Sequence, residues 1–306
     1  MLDIGLYGLG RMGGNMARRL SRAGIKVHAL NRSLGVTEKL AAEEANVVAC
    51  QSARAMAESL PTPRIVWLML PAGAATEAAL AELSGLLQPG DLLVDGANGF
   101  YQEAMRRAGQ LSEKGLRFAD VGVSGGVWGL ANGYCLMAGG ADDDIARLKP
   151  YLQALAPTLD SGWLHAGPAG SGHFTKMVHN GIEYGMMQAL AEGFALMQAK
   201  QEFQLDIAAI AELWRHSSVV RSWLLDLSAD FLKNDQKLDG IAPVVADSGE
   251  GRWTALESIN LGVPTPVMTL ALMSRFASPG KGDFAKQMLA MMRQGFGGHA
   301  VEKGEA

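Results

Sequence analysis

The chain has 306 residues, 48% of them apolar, and a formal net charge of −4. That length suits one large domain or two ordinary ones, each with its own core. The near-neutral balance offers no basic surface to nucleic acid or to an anionic membrane.

The first expected strand begins at residue 4, which leaves no room for a targeting segment ahead of it. Apolar runs at residues 4–8, 26–30, 65–70, 91–95, 117–123 and 134–138 are continuous rather than alternating in polarity. This is the pattern of parallel strands buried on both faces. The longest of them, extended to residue 71, is too short to cross a bilayer. Between the runs lie helix-like stretches, such as residues 15–23 and 74–87, long enough for crossovers. Alternation of this kind predicts a doubly wound α/β domain. The two cysteines, Cys50 and Cys135, form no CxxC pair and no disulfide framework, so reduced thiols in the cytoplasm are expected.

The pattern changes near residue 172. Residues 173–200 contain no proline and are rich in Met, Ala, Leu, Glu and Gln, which predicts a long helix. Further helices are expected at 207–215, 219–231 and 253–261. Pro264 and Pro266 interrupt the series before 267–276 and 284–293. The turn-rich stretch 162–172 reads as a junction. The expected architecture is α/β, a Rossmann-type doubly wound sheet over residues 1–168 followed by an all-α domain over 169–306.

The segment Gly8-Leu9-Gly10-Arg11-Met12-Gly13 follows the first strand and opens the first helix. In that context the three glycines allow a tight turn, close approach of a pyrophosphate and close helix–strand packing. The phosphates would then meet the N-terminal amides of the helix. An NAD-specific site usually has a carboxylate at the end of the second strand. Here Asn31-Arg32-Ser33 stands there, and Arg32 could pair with a 2′-phosphate in a forked contact supplemented by the Ser33 hydroxyl. This favours NADP, with NAD as the alternative.

Lys176, His179, Asn180 and Glu183 recur at i, i+3, i+4 and i+7, so all four share one face of the long helix. Spacing alone leaves two readings open, a solvated face or a reactive one. A partly desolvated lysine favours its neutral form and can act as a base, and Glu183 would supply a second proton-transfer group.

Four segments carry a resemblance: Gly122-Val123-Ser124-Gly125-Gly126-Val127-Trp128-Gly129, Lys176-Met177-Val178-His179-Asn180-Gly181-Ile182-Glu183-Tyr184-Gly185, Asp247-Ser248-Gly249-Glu250-Gly251-Arg252-Trp253-Thr254 and Phe296-Gly297-Gly298-His299. With them the chain, from Ile4 to His299, resembles the short bacterial form of the 6-phosphogluconate dehydrogenase (decarboxylating) family, within the β-hydroxyacid dehydrogenase superfamily. The resemblance implies that Lys176 is the general base at the C3 hydroxyl and Glu183 the acid that completes the reaction, with Asn180 beside them. It implies that Asn98, Ser124, Gly125, Gly126, His179 and Asn180 hold the hydroxyls and carboxylate of a sugar-acid phosphate. Tyr184, Arg275, Arg293 and His299 match the family's phosphate-side residues. Pro71, Ala72 and Asn98 would line the cofactor, beside Gly8, Leu9, Gly10, Arg11, Met12 and Gly13. No metal is implied. A homodimer or homotetramer is, because the equivalents of Arg293 and His299 can reach a partner subunit's site.

The chain departs from the long form of the family. Ser248 and Arg252 replace lysines around its GTGKW segment, Val127-Trp128 replaces an acidic pair, and Ala97 stands where DGGN is common. Two other functions are therefore weighed: a dehydrogenase of another β-hydroxyacid or 6-substituted gluconate, and a non-catalytic dinucleotide-binding sensor or scaffold. Retention of both Lys176 and Glu183 speaks against the last.

Overall fold

The computed structural model describes residues 2–238, 240–280 and 283–297. It divides into two compact units, Met1–Met177 and Val178–Ala306.

The first unit is a layered α/β domain. Its strands are β1 (Asp3–Tyr7), β2 (Lys26–Leu30), β3 (Val47–Ala49), β4 (Ile65–Leu68), β5 (Leu92–Asp95), β6 (Arg117–Ser124), β7 (Cys135–Gly140) and β8 (Trp163–Gly167). The helices between them are α1 (Arg11–Arg22), α2 (Leu34–Glu43), α3 (Ala53–Ser59), α4 (Ala74–Ser84), α5 (Tyr101–Ser112), α6 (Gly129–Asn132) and α7 (Asp142–Leu155). One eight-stranded sheet runs in the order β3-β2-β1-β4-β5-β6-β7-β8. The strand order reverses between β1 and β4, the place where open α/β sheets leave a crevice at their carboxyl ends.

Burial on both faces explains the continuous apolar runs. In β4, Ile65 and Trp67 pack into one core with Met16, Leu20, Leu148 and Leu152 of α1 and α7. Val66 and Leu68 point the other way, to Met56, Leu80, Leu83 and Leu111 of α3, α4 and α5. Each such fully buried side chain contributes roughly 1.5–3 kcal/mol.

Two features of the sheet depart from the sequence pattern. β7 runs antiparallel to β6, because the connection through the 3₁₀ turn Gly126–Trp128 and the single turn α6 is too short for a parallel crossover. Residues 163–167, expected within a turn-rich junction, instead form β8 parallel to β7. Gly162 just before this strand and Gly167 at its end both have positive φ and gave the segment its turn-like look. The short edge strand β3 was also not anticipated; three residues are too few to show a period.

The long helix α8 (Ser171–Ala199) begins in the first unit, and its greater part belongs to the second. The second unit continues with α9 (Ile207–Trp214), α10 (Trp223–Leu232), α11 (Glu250–Asn260), α12 (Pro266–Ala277) and α13 (Asp283–Gly297). It is helical, as the composition predicts. Several boundaries move. α10 starts four residues after the expected position because Ser222 caps it, its side chain accepting from the Leu225 amide. α11 starts at Glu250 behind Gly249, whose φ is +108°. Pro266, expected to interrupt, is the first residue of α12, where its missing N–H costs nothing. Small cores form between α9 and α10 around Ile207 and Leu232, and around Tyr184 and Leu272. No helix among the described residues is long and apolar enough to cross a membrane.

Candidate active site

The glycine loop lies between the end of β1 and the start of α1. A Cβ on Gly8, whose φ is +106°, would stand 2.4 Å from the Met69 carbonyl oxygen, and one on Gly13 would stand 2.0 Å from the Gly8 carbonyl oxygen. Neither position admits a side chain. Gly10 differs: nothing lies within 4 Å of a Cβ built there. It is the N-cap of α1, no side chain caps that end, and the first turn has no acidic residue. An open, uncapped helix N-terminus fits the pyrophosphate of a dinucleotide. Arg11 is exposed, Met12 is half-buried and Leu9 is buried.

Asn31 closes β2 onto this loop, its side-chain oxygen accepting from the Leu9 amide at 3.1 Å. Arg32 and Ser33 are exposed. Arg32 forms no ion pair among the described residues, and the Ser33 side chain does not cap α2. Pro71 and Ala72 follow β4, Asn98 follows β5, and all three are exposed. Together with Ser124 at the end of β6, these residues stand at the carboxyl ends of parallel strands. Gly125 and Gly126, with φ of +129° and +52°, turn the chain away from β6.

The start of α8 packs against β6 closely. A Cβ on Gly122 would lie 2.4 Å from the Cβ of Lys176 and 2.9 Å from the Gly172 carbonyl oxygen. Lys176 is thus pressed against the strand that ends in Ser124, and it is only 7% exposed. Asn180 is buried as well, whereas Ile182 and Met186 on other faces are exposed. Of the 176–179–180–183 stripe, Lys176 and Asn180 are thus withdrawn from solvent. His179 Nδ1 lies 3.0 Å from Asn180 Oδ1 and 3.8 Å from Glu183 Oε2, with His179 and Glu183 both about a third exposed.

Two residues next to this site give no motif in the sequence. Asp120, on β6, is fully buried and accepts from the amides of Gly170 and His173 at 2.6 and 2.7 Å. Burial raises its pKa, while His173 and the two amides pull it back. His173 is 1% exposed. The only sign of Asp120 was one carboxylate inside an apolar run.

In the second unit, Tyr184 and Arg275 come together. The Arg275 guanidinium lies 3.4 Å above the Tyr184 ring and donates to the Ala246 carbonyl at 3.0 Å. The Tyr184 hydroxyl is 3.1 Å from Ser248 Oγ, which donates to Glu250 at 2.6 Å. Arg252 pairs with Asp247 and covers the Phe276 ring. Ser248 and Arg252, which stand where the long form has lysines, are thus held by neighbouring carboxylates. Arg293 is exposed on α13, and His299 lies outside the described residues. Among the described residues no cluster of His, Cys, Asp or Glu could hold a metal.

Residues 3–164 match the NAD binding domain of 6-phosphogluconate dehydrogenase, and residues 172–303 match the C-terminal domain of 6-phosphogluconate dehydrogenase. The chain belongs to the 6-phosphogluconate dehydrogenase family. An NAD(+)-dependent, decarboxylating 6-phosphogluconate dehydrogenase of Haloferax volcanii is 37% identical over 303 residues, covering 99% of each chain. An NADP(+)-dependent, decarboxylating one from Bacillus subtilis is 36% identical over 296 residues, 93% of this chain and 63% of that one. Among solved structures, Plasmodium falciparum 6-phosphogluconate dehydrogenase superposes with a TM-score of 0.83 at 29% identity, covering 99% of this chain and 67% of that one. The family thus holds full-length relatives of this size as well as longer ones, and relatives named for either dinucleotide.

Proposed function

We propose that this protein oxidises 6-phosphogluconate, releases its carboxylate as CO₂ and forms ribulose 5-phosphate while reducing NADP, with NAD as the alternative acceptor. Beyond the family, the observation that carries this reading is the buried Lys176, held against the strand that ends in Ser124 and leads into Gly125-Gly126.

The bound dinucleotide supplies the acceptor for hydride from C3. Lys176 Nζ takes the C3 hydroxyl proton as the C3–H electron pair departs, leaving a ketone at C3. The bond from C1 to C2 then breaks; CO₂ leaves, and its electron pair passes through C2 to the C3 carbonyl. Protonated Lys176 donates to that oxygen, giving an enediol. Glu183 protonates the carbon that becomes C1 of the product as Lys176 takes back the proton of the neighbouring enol hydroxyl, leaving the ketone of ribulose 5-phosphate. Asn98, Ser124, Gly125, Gly126, His179 and Asn180 hold hydroxyls and carboxylate, and Tyr184, Arg275, Arg293 and His299 take the phosphate. The glycine loop, Asn31, Arg32, Ser33, Pro71 and Ala72 hold the dinucleotide. No step requires a metal. The protein works in the cytoplasm as a homodimer or homotetramer, a reading supported by exposed apolar residues such as Val267, Leu270 and Leu289 in the helical unit.

Replacing Lys176 by alanine tests the assignment of the base. General-base catalysis is worth about 10²–10⁴-fold, so kcat for 6-phosphogluconate should fall by at least that range's lower end. Full activity in Lys176→Ala would overturn this mechanism.

A further inference from the structure

We propose that Asp120 is a positioning residue for Lys176, acting through the first turn of α8; this rests on Lys176 being the base. The first amides of a helix have no partner within it. Here two of them, from Gly170 and His173, are taken by one carboxylate that comes from the neighbouring strand rather than from the helix's own flank. Asp120 therefore ties the start of α8 to β6. Two residues further along the same strand, Gly122 meets the backbone end of Lys176. Strand and helix are thus joined at two points, and Lys176 stands at the second of them.

The surroundings show that this fit is tight. A Cβ on Gly139 of β7 would lie 2.6 Å from Asp120 Oδ1, and one on Gly172 would lie 2.6 Å from the Asp120 carbonyl oxygen. His173 packs beneath Gly99, with its ring 3.5 Å from a Cβ built there, and neither ring nitrogen has a hydrogen-bond partner among the described residues. The loop it supports carries Asn98.

Charge adds a second effect. A carboxylate at a helix N-terminus offsets the positive end of the helix dipole. In a buried setting it also favours the cationic form of a lysine further along the helix. The other ionisable groups facing Asp120 are His173 on α8 and Asp95 on β5, with Arg107 on α5 bound to Asp95 at 2.7 Å and to Glu77 at 2.8 Å. His179 and Glu183 follow Lys176 on its own helix. Asp95 is already matched by Arg107, so replacing Asp120 removes a buried negative charge from the first turn of the helix that carries Lys176.

The test compares wild type with Asp120→Asn and Asp120→Ser, both neutral and both able to accept an amide. Steady-state rates with 6-phosphogluconate are measured across pH. In parallel, reductive methylation of the Lys176 amine by formaldehyde and cyanoborohydride, mapped by peptide mass, follows its titration without substrate. We expect kcat to fall about tenfold or more, since small displacements of a reacting group are costly, with KM changed less than about threefold. The acid limb of kcat/KM and the methylation midpoint should both move to lower pH by about half a unit. Unmoved midpoints with kcat within about twofold of wild type would overturn the proposal, since effects this small lie inside ordinary mutational scatter. So would failure of both variants to fold, because Asp120 would then be holding the domain rather than the lysine. If wild type itself does not turn over 6-phosphogluconate, the proposed function falls, and the methylation midpoint still decides the role of Asp120.

Discussion

The proposed choice of dinucleotide rests on Arg32. It is exposed at the end of β2, no carboxylate of the described residues holds it, and Asn31 beside it is occupied with the glycine loop. A guanidinium so placed can fork onto a 2′-phosphate, and a charged hydrogen bond is worth roughly 1.5–3 kcal/mol. Arg32→Ala should therefore raise KM for NADP about ten- to a hundredfold and leave KM for NAD nearly unchanged. Equal effects on the two would show that Arg32 does not read the phosphate. The glycine turn of this end was legible because it demands glycine at fixed spacing, and the expectation for Arg32 came from a missing carboxylate at a known place. Asp120 and His173 were not. Each is a single polar residue that acquires its meaning only when the start of α8 meets β6 across some fifty positions of sequence.

At the scale of elements, the junction of β6 with α8 is where fold and chemistry meet. Gly122 has ordinary strand neighbours in the sequence, yet its missing side chain is what lets the helix lie against the strand at Lys176. Gly122→Ala should force the two apart. Overpacking of this kind costs typically about 1–3 kcal/mol, and the displaced lysine should cost more in kcat than in KM. A variant with wild-type kcat and an unchanged melting temperature would contradict the packing described here. The same scale shows what periodicity could and could not convey. The long helix was readable to within two residues at its start, because twenty-nine residues show their composition clearly. β3 and β8 were hidden, one by its shortness and the other by its flanking glycines. The caps at Ser222 and Gly249, with Pro266 at the first position of α12, set boundaries that hydrophobic pattern alone placed late or early.

At the scale of the molecule, each unit carries part of the proposed set of site residues. The first brings the glycine loop, Asn98, Ser124 and Lys176 to the carboxyl ends of one sheet. The second carries His179, Asn180 and Glu183 on the continuing helix, and gathers Tyr184, Arg275, Ser248 and Glu250 around one aromatic ring. That the first unit would be a doubly wound sheet and the second helical was visible in composition alone, since buried parallel strands and proline-free helices leave opposite signatures. Tyr184 and Arg275 were grouped only through the resemblance, and Ser248 and Glu250 were not joined to them, because α8, α12 and the turn into α11 supply these residues from separate stretches. The central claim is that oxidation at C3 is coupled to loss of the carboxylate. It is tested most directly by supplying 6-phosphogluconate labelled with ¹³C at C1, together with NADP, and following the label by NMR as the cofactor is reduced. The account predicts that labelled CO₂ and bicarbonate appear in step with NADPH, one for one. Reduction of NADP with the label retained in an organic acid would contradict it.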